Sequence, residues 1–421
     1  MMKKTLIFFA LIGLTACSSF KNQSLKEAAA EAEVDYKLTE TEQKIIRKNN
    51  DFGLRLFKLS TDRSHFSNVA LSPMGVIYSL NMLNNGATAQ TQREIYQALS
   101  YDKADREQLN PFYRRLLITQ RKEQGPQAGD LPTYMQTSNL LAFMNDIAIE
   151  KDFQDTLSTY YFAQMETAKS TEELQKAADE WCVRQSGGRV THVPLKMDEQ
   201  TKACLVNLID FKGTWSLPFD KQRTKDEPFF LTRDQAITAV MMHADDNNQI
   251  LRGMTGKRFS ALRMPYDDRF AMTVILPHKD YDLLEIIDSL DCQTLDFINQ
   301  NMRTYDEVHV DFPKFTTKNT VNLKPVLMSM GIKKAFGSEA QFSRISQTPL
   351  GIDDIVQATE VKVEEYETTA QATTATTVVA LSAISKRNPS IFRFEVYRPF
   401  LYYITDYFGN ICFIGSMFIP K

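Results

Sequence analysis

Residues 368–377 read Thr-Thr-Ala-Gln-Ala-Thr-Thr-Ala-Thr-Thr, with no Pro and no Gly. Small β-branched residues suit a strand and give a helix little. The run has no large apolar side chain to anchor it in a core, so on its own it is an exposed, extensible segment. Glu364-Glu365-Tyr366-Glu367 precedes it. Val378-Val379-Ala380-Leu381-Ser382-Ala383-Ile384, then Lys386-Arg387-Asn388-Pro389 and an aromatic segment ending in Arg398-Pro399-Phe400, follow it. A linker between two domains is the plain alternative, but only about 40 residues remain, too few for a second domain. A long loop with strand propensity inside a compact protein is more often functional than accidental. Whatever this chain folds into must therefore hold such a loop by both ends.

The rest of the chain is ordinary globular sequence: 421 residues, 43% hydrophobic, 24% charged, net charge −3. That is ample for a large core and leaves no electrostatic footprint for nucleic acid or for a polybasic membrane surface. The N-terminus carries a different signal. Lys3-Lys4 precede an apolar run at 6–14 and then Leu14-Thr15-Ala16-Cys17-Ser18-Ser19. A basic start, a short apolar stretch and small residues before a cut make an export signal, too short to span a bilayer. Leu-Thr-Ala-Cys resembles the bacterial lipobox, in which the Cys becomes the lipidated first residue. The expectation is a signal peptide at 1–16, lipidation at Cys17, a polar tether at 17–36 and one domain at 37–421. The chain is then exported and anchored by its lipid to the bacterial cell envelope, at the outer membrane or cell surface. Cys182, Cys204, Cys292 and Cys412 are widely spaced, lack a CxxC pair and sit among apolar residues, so they read as buried free thiols.

Periodicity predicts helices over 38–59, 149–165, 171–185, 281–301 and 321–331. A helix opening at Pro73 has Val76, Leu80 and Leu83 on one face and stops at Gly86, and another begins near 88–91 with Ile95 and Leu99. The apolar run at 203–211 reads as a strand buried on both faces, turned by Lys212-Gly213-Thr214-Trp215. Strands are also expected at 137–143, 271–276, 308–312 and 359–363, the last leading straight into the Thr/Ala run. Segments 391–404 and 411–418 read as a closing hairpin turned at Gly409-Asn410. Helices crowd the N-terminal half and strands the C-terminal half, which favours an α+β fold over alternating βαβ units.

Catalytic and metal signatures are missing. The five His stand at 65, 192, 243, 278 and 309, never as an i, i+4 pair, and no HExxH, P-loop, G-x-S-x-G or dinucleotide fingerprint occurs. His243 and His309 lie in strand-like apolar surroundings and read as core or interface residues. Nothing proposes an enzyme, a cofactor or a metal.

Several separated segments converge on one family. Asn68, Ser72-Pro73, Gly86-Ala87, Thr91, Ile95 and Leu99 match an N-x-x-x-S-P…G-A…T-x-x-x-I-x-x-x-L pattern. Leu205-Val206-Asn207 followed by Phe211-Lys212-Gly213-Thr214-Trp215 and Phe219 resembles N-A-x-x-F-K-G-x-W-x-x-x-F. Pro313-Lys314-Phe315, Leu323, Leu327, Gly331-Ile332, Phe336 and Phe342-Ser343 follow, then Phe394, Arg398-Pro399-Phe400, Ile404, Phe413-Ile414-Gly415 and Pro420. In this order and over the whole of 38–420 they resemble the serpins. The resemblance implies three β-sheets with eight or nine helices and an exposed reactive-centre loop at about 365–392. It implies a monomeric suicide inhibitor of serine proteases, with cysteine proteases as further targets, in which loop cleavage is followed by insertion of the freed loop as a strand. That strand addition and release of stored strain are general properties of serpin loops.

The residues can be tested against that role. An inserted strand buries one face, so every second residue must be small or apolar. One register turns Thr368, Ala370, Ala372, Thr374, Thr376 and Val378 inward, and the other would bury Glu367 unpaired at several kcal/mol. The first register aligns Glu365 with the start of the family hinge and, by the family's usual spacing, places the scissile bond at Leu381-Ser382. That suits elastase-, chymotrypsin- or subtilisin-like proteases. A cut after Lys386 or Arg387 would suit trypsin-like ones instead. Two departures stand out: Glu367 occupies a position where the family usually has Gly, and the cluster beneath the sheet opening, usually two Ser, an Asn and a His, maps to Ser72, Gly75, Asn207 and Gln357. Trp215 above it is kept. The departures motivate a competing reading, a non-inhibitory carrier or binding protein on the same fold.

Overall fold

The apolar run at 203–211 becomes the central strand of a five-stranded sheet. The computed structural model describes residues 37–61, 67–120, 133–188, 190–195, 197, 201–266, 268–352, 355–366 and 389–420. In chain order they form α1 (Glu40–Ser60), β1 (Val69–Leu71), α2 (Pro73–Gly86), α3 (Ala89–Ala98), α4 (Lys103–Arg106), α5 (Leu109–Gln120), β2 (Tyr134–Met144), α6 (Lys151–Tyr161), β3 (Gln164–Ala168) and α7 (Thr171–Ser186). The strand-rich half continues with β4 (Ala203–Lys212), β5 (Lys225–Phe230), β6 (Ala236–Asp246), β7 (Arg252–Thr255), β8 (Phe259–Pro265) and β9 (Phe270–Pro277). It closes with α8 (Leu283–Ser289), α9 (Cys292–Asn301), β10 (Glu307–Pro313), β11 (Phe315–Asn322), α10 (Lys324–Ser329), β12 (Val356–Val363), β13 (Ile391–Glu395), β14 (Phe400–Asp406) and β15 (Ile411–Met417).

Three sheets result, as the resemblance implied. The five-stranded sheet runs β11-β12-β4-β2-β3, a six-stranded one β1-β15-β14-β9-β8-β7, and a four-stranded one β13-β10-β6-β5. Ten α-helices surround them among the described residues, α4 being a single turn. Local chemistry sets the helix ends. Thr39 and Glu42 form a reciprocal capping box at α1, with Glu42 N–H donating to Thr39 Oγ1 at 3.2 Å and Thr39 N–H to Glu42 Oε2 at 2.8 Å. Ser72 caps α2 ahead of Pro73. Every residue of α2 but Asn85 is buried, because the helix packs against both β15 and β4 and so joins the two larger sheets.

Four sequence expectations change. The helix expected over 149–165 stops at Tyr161, where Phe162 takes φ 50 in the left-handed region, and Gln164–Ala168 leaves as the edge strand β3. Residues 281–301 break into α8 and α9 because Asp291 caps a fresh helix. Val321 belongs to β11, so the helix expected from 321 starts at Lys324. Segment 391–404 is two strands in two sheets: β13 lies parallel to β10, and only β14 pairs with β15. The bend at Tyr397-Arg398-Pro399 separates them, with Arg398 Nε donating to the Pro277 carbonyl at 2.7 Å.

Candidate functional site

β12 is paired along its whole length on one side and hardly at all on the other. Against β11 the register runs unbroken from Asn322↔Val356 to Phe315↔Val363. Against β4 it is parallel and stops after Val356↔Val206, Gln357↔Asn207 and Ala358↔Leu208. β4 itself stays paired with β2 as far as Tyr134↔Lys212. Beyond residue 358 the two strands diverge, each held by its outer neighbour, and a cleft of about 740 Å³ opens between residues 208–212 of β4 and residues 359–363 of β12 with Glu364. Its core side is apolar, with Ile209, Val361 and Val363 buried. Strand edges facing each other across a gap are a template for one more strand.

The seam's closed end rests on α2. Gln357, buried on β12, closes a two-point contact on the main chain of Ser72: the Ser72 amide donates to Oε1 at 2.8 Å and Nε2 donates to the Ser72 carbonyl at 2.9 Å. Ser72 Oγ donates to the Cys412 carbonyl at 2.7 Å, which ties the same turn to β15. Asn207 donates from Nδ2 to Asn139 Oδ1 at 2.8 Å, and Asn139 donates to the Tyr161 carbonyl at 3.1 Å. Asn207 Oδ1 is buried without a hydrogen-bond partner among the described residues and points at Gly75, where a Cβ would lie 2.4 Å from it. Ser72, Gly75, Asn207 and Gln357, aligned from sequence alone, thus meet at one point, and Gly75 is the residue the packing demands.

The open end is latched to the residues that leave β12, Glu364 and Glu365. Trp215 Nε1 donates to the Glu364 carbonyl at 2.9 Å, and its ring stacks on Tyr266 with centroids 4.2 Å apart. The Phe219 amide donates to the Glu365 carbonyl at 2.9 Å. Lys314 Nζ lies 3.1 Å from both the Glu364 and Glu365 carboxylates, and Lys362 reaches Glu364 at 2.8 Å. Burial pushes both carboxyls up, but hydrogen bonds outweigh it: those from Lys362 and Lys314 on Glu364, those from its own amide and Lys314 on Glu365. Both sit below the usual carboxylate range. Burial pulls the Lys314 ammonium down, the two Glu pull it up further, and it ends above the ordinary lysine value.

Of the hinge residues aligned from sequence, Glu365 is therefore seen at the lip of the cleft. Glu367, Thr368, Ala370, Ala372, Thr374, Lys386, Arg387, the bond at Leu381-Ser382, and Cys17 lie outside the described residues. Sequence reasoning missed Lys314 and Tyr266 as parts of the latch; Lys314 stood in plain view beside Pro313 in a family motif. Cys182, Cys204 and Cys412 are buried free thiols, and Cys292 is free but only half-buried. His243 Nδ1 lies 2.6 Å from Asp311 Oδ1 and His309 Nδ1 2.7 Å from Asp245 Oδ1, so both histidines join β6 to β10.

Residues 47–420 match the serpin (serine protease inhibitor) family. An uncharacterised serpin-like protein of Thermococcus kodakarensis is 27% identical over 386 residues, 90% of this chain and 87% of that one. Serpin B6 of Pongo abelii is 28% identical over 388 residues, covering 89% and 99%. Among solved structures, human thyroxine-binding globulin superposes with a TM-score of 0.79 at 21% identity, covering 90% of this chain and all of the other. Native tengpin, a thermophilic serpin, gives 0.77 at 22%, covering 92% and 96%.

Proposed function

Because the chain belongs to the serpin family, we propose that it inhibits serine proteases as a suicide substrate. The observation that carries this is the seam: β12 and β4 share three ladder pairs and then part around a cleft shaped for a strand. The reactive loop leaves the end of β12 at the lip of that cleft. A target protease attacks the Leu381 carbonyl with its serine oxygen, the Leu381–Ser382 peptide bond breaks, and the Ser382 amine leaves with a proton. Leu381 is then an ester on the protease. The freed segment folds back antiparallel to both strands with Thr368, Ala370, Ala372, Thr374, Thr376 and Val378 on the apolar side. Seating it adds on the order of ten ladder hydrogen bonds at about 1 kcal/mol each, and carries the acyl-protease away before water reaches the ester.

Incubation with elastase, chymotrypsin, subtilisin and trypsin, read on denaturing gels with mass spectrometry, tests this. The expected product is a denaturant-resistant complex bonded through Leu381. Clean cleavage without complex, and without a rise in thermal midpoint, refutes it and favours the second reading, a carrier on the serpin fold. Glu367 in the hinge favours that reading, and thyroxine-binding globulin is a protein of this fold named for a ligand it binds. The Leu-Thr-Ala-Cys motif supports export and lipid anchoring at Cys17, which would station the inhibitor at the cell envelope.

A further inference from the structure

Two histidine–aspartate pairs cross between β6 and β10 in reversed order. The register sets His243 against Asp311 and Asp245 against His309, so all four side chains share one face of the four-stranded sheet. The outer pair, Asp245 with His309, is partly exposed and is joined by Arg223, 2.5 Å from Asp245, and Glu307, 3.6 Å from His309. The inner pair is different. His243 is only 6% exposed, and its Nε2 is buried with no hydrogen-bond partner among the described residues. That nitrogen lies 3.7 Å from Glu227 Oε1 of β5, an oxygen already held by Lys225 Nζ at 2.8 Å.

Tyr397 completes a ring. Its hydroxyl lies 2.8 Å from both Glu227 Oε2 and Asp311 Oδ2, and Asp311 Oδ1 lies 2.6 Å from His243 Nδ1. Glu227, Tyr397, Asp311 and His243 thus make four links among β5, the bend at 397–399, β10 and β6. The phenol has one hydrogen to share between two carboxylates, and a neutral imidazole has one, which Asp311 takes at Nδ1. Nε2 then turns a lone pair toward a carboxylate, and the fourth link stays open at 3.7 Å. An imidazolium donates from both nitrogens, so one added proton makes that link a charge-assisted hydrogen bond. Lys225 faces the ring from β5, and Glu395 and Arg393 of β13 stand opposite Asp311 and His309. Burial pushes the Glu227 carboxyl up, but hydrogen bonds from Lys225 and Tyr397, with His243 nearby, outweigh it and leave it below the usual range. Burial, then the two carboxylates, push the Tyr397 hydroxyl far up. Both keep one charge state between about pH 5 and 8, where imidazole ordinarily gains its proton.

We propose that His243 is a proton-operated clasp: on gaining a proton it ties the edge strand β5 to β6 and β10 through Glu227, and holds the bend at Tyr397 with them. The Phe230 amide donates to the Tyr397 carbonyl at 2.8 Å, so β5 and the bend move as one. The folded chain offers the added proton a bond that the unfolded chain lacks. Folding therefore takes up a proton, and the hold is gained as pH falls from about 8 to 5 and lost as it rises. Through that bend the chain returns from the loop region to β14, so its return end is held more firmly in acid than at neutral pH. The clasp is independent of whether the loop inserts.

Amide exchange by mass spectrometry on the full chain, stepped from about pH 8 to about pH 5.5 and corrected for intrinsic rates, reads the clasp in peptides covering 225–230 and 393–398. Wild type is expected to gain about tenfold in protection toward acid, the worth of roughly one charge-assisted hydrogen bond. His243→Gln should lose that slope. Glu227→Gln should lose it too, but at high protection, because its amide can donate to the neutral Nε2 and close the ring without a proton. His309→Gln, in the outer pair, is the control and should keep the slope. Wild-type protection that changes less than twofold overturns the clasp, as does a full slope in His243→Gln or its loss in His309→Gln. Should His243→Gln fail to fold, Glu227→Gln decides alone: flat, high protection supports the clasp, and a wild-type slope refutes it.

Discussion

Gly75 and Gln357 depart together from the residues usual beneath the serpin sheet opening, and the packing makes each depend on the other. A Cβ at Gly75 would stand 2.2 Å from Ile209 Cδ1, 2.4 Å from Asn207 Oδ1 and 3.0 Å from Gln357 Nε2. The informative perturbation is a cycle of Gly75→Ser, Gln357→His and the double variant. Gly75→Ser alone overfills the site and is expected to cost about 1–3 kcal/mol. Gln357→His alone breaks the two-point contact on Ser72, because imidazole nitrogens point apart and cannot serve both groups of one residue. One buried main-chain group is stranded, again about 1–3 kcal/mol. In the double variant the Gln357 amide, the most distant of the three contacts, no longer crowds the serine, and only Ile209 and Asn207 have to shift. The new hydroxyl faces Asn207 Oδ1, which has no hydrogen-bond partner among the described residues. A favourable coupling of about 1–2 kcal/mol is therefore expected between residues in such contact. Urea unfolding of all four proteins, followed by tryptophan fluorescence, measures it. Additivity within about 0.5 kcal/mol would refute the claim that the two departures compensate.

Trp215→Phe keeps most of the stack on Tyr266 and removes the donor to the Glu364 carbonyl, so about 1 kcal/mol of local hold is lost. Faster amide exchange at 364–366 by mass spectrometry is the expected sign, and unchanged exchange removes Trp215 from the latch. The latch should also respond to pH at both ends. Glu364 and Glu365 titrate below their ordinary value, so their share of stability is present above about pH 4.3 and is lost as pH falls through the lowered values. Lys314 titrates above its ordinary value, so its share is whole below about pH 10.4 and is lost as pH rises through the raised one. Proteolytic nicking near Tyr366 should therefore rise toward pH 3 in the wild type, and Lys314→Met should flatten that rise; identical acid profiles would clear the latch of responsibility. Cys17→Ser should shift the protein from membrane to soluble fractions and remove the lipid mass, and an unaltered intact mass would show that no lipid was attached.

Elements whose signal is local were legible in the sequence. α2 opens at Pro73 and ends at Gly86 as the sequence says it should, since caps and turns act over a few residues. β4 declared itself by an apolar run that only a strand covered on both faces can hide. Elements decided by tertiary partners were not legible. β3 is an edge strand of Gln-Met-Glu-Thr-Ala with little β signal of its own; it is extended because β2 offers it a parallel edge. β13 and β14 form one aromatic stretch in sequence, and only the bend at Tyr397-Arg398-Pro399, held by Arg398 on the Pro277 carbonyl, sends them to different sheets.

The site divides along the same line. Ser72, Asn207 and Trp215 were found because each belongs to a family motif, and Gln357 because it maps to a position of the family's sheet-opening cluster, yet nothing in their identities states why pairing between β4 and β12 stops where it does. That follows from two registers at once: β11 holds β12 as far as Val363 and β2 holds β4 as far as Lys212, while the twist carries the two pairs apart. The arrest leaves strand edges that one more strand could pair with, and on the inhibitory reading that pairing is what loop insertion would gain. On that reading the chain's own Thr/Ala run, small on alternate residues, is the segment proposed to enter. Seam and loop are thus complementary in a way that neither shows alone. On that reading the latch that Trp215 and Lys314 make on Glu364-Glu365 is a contact at the lip that would have to yield before the segment enters.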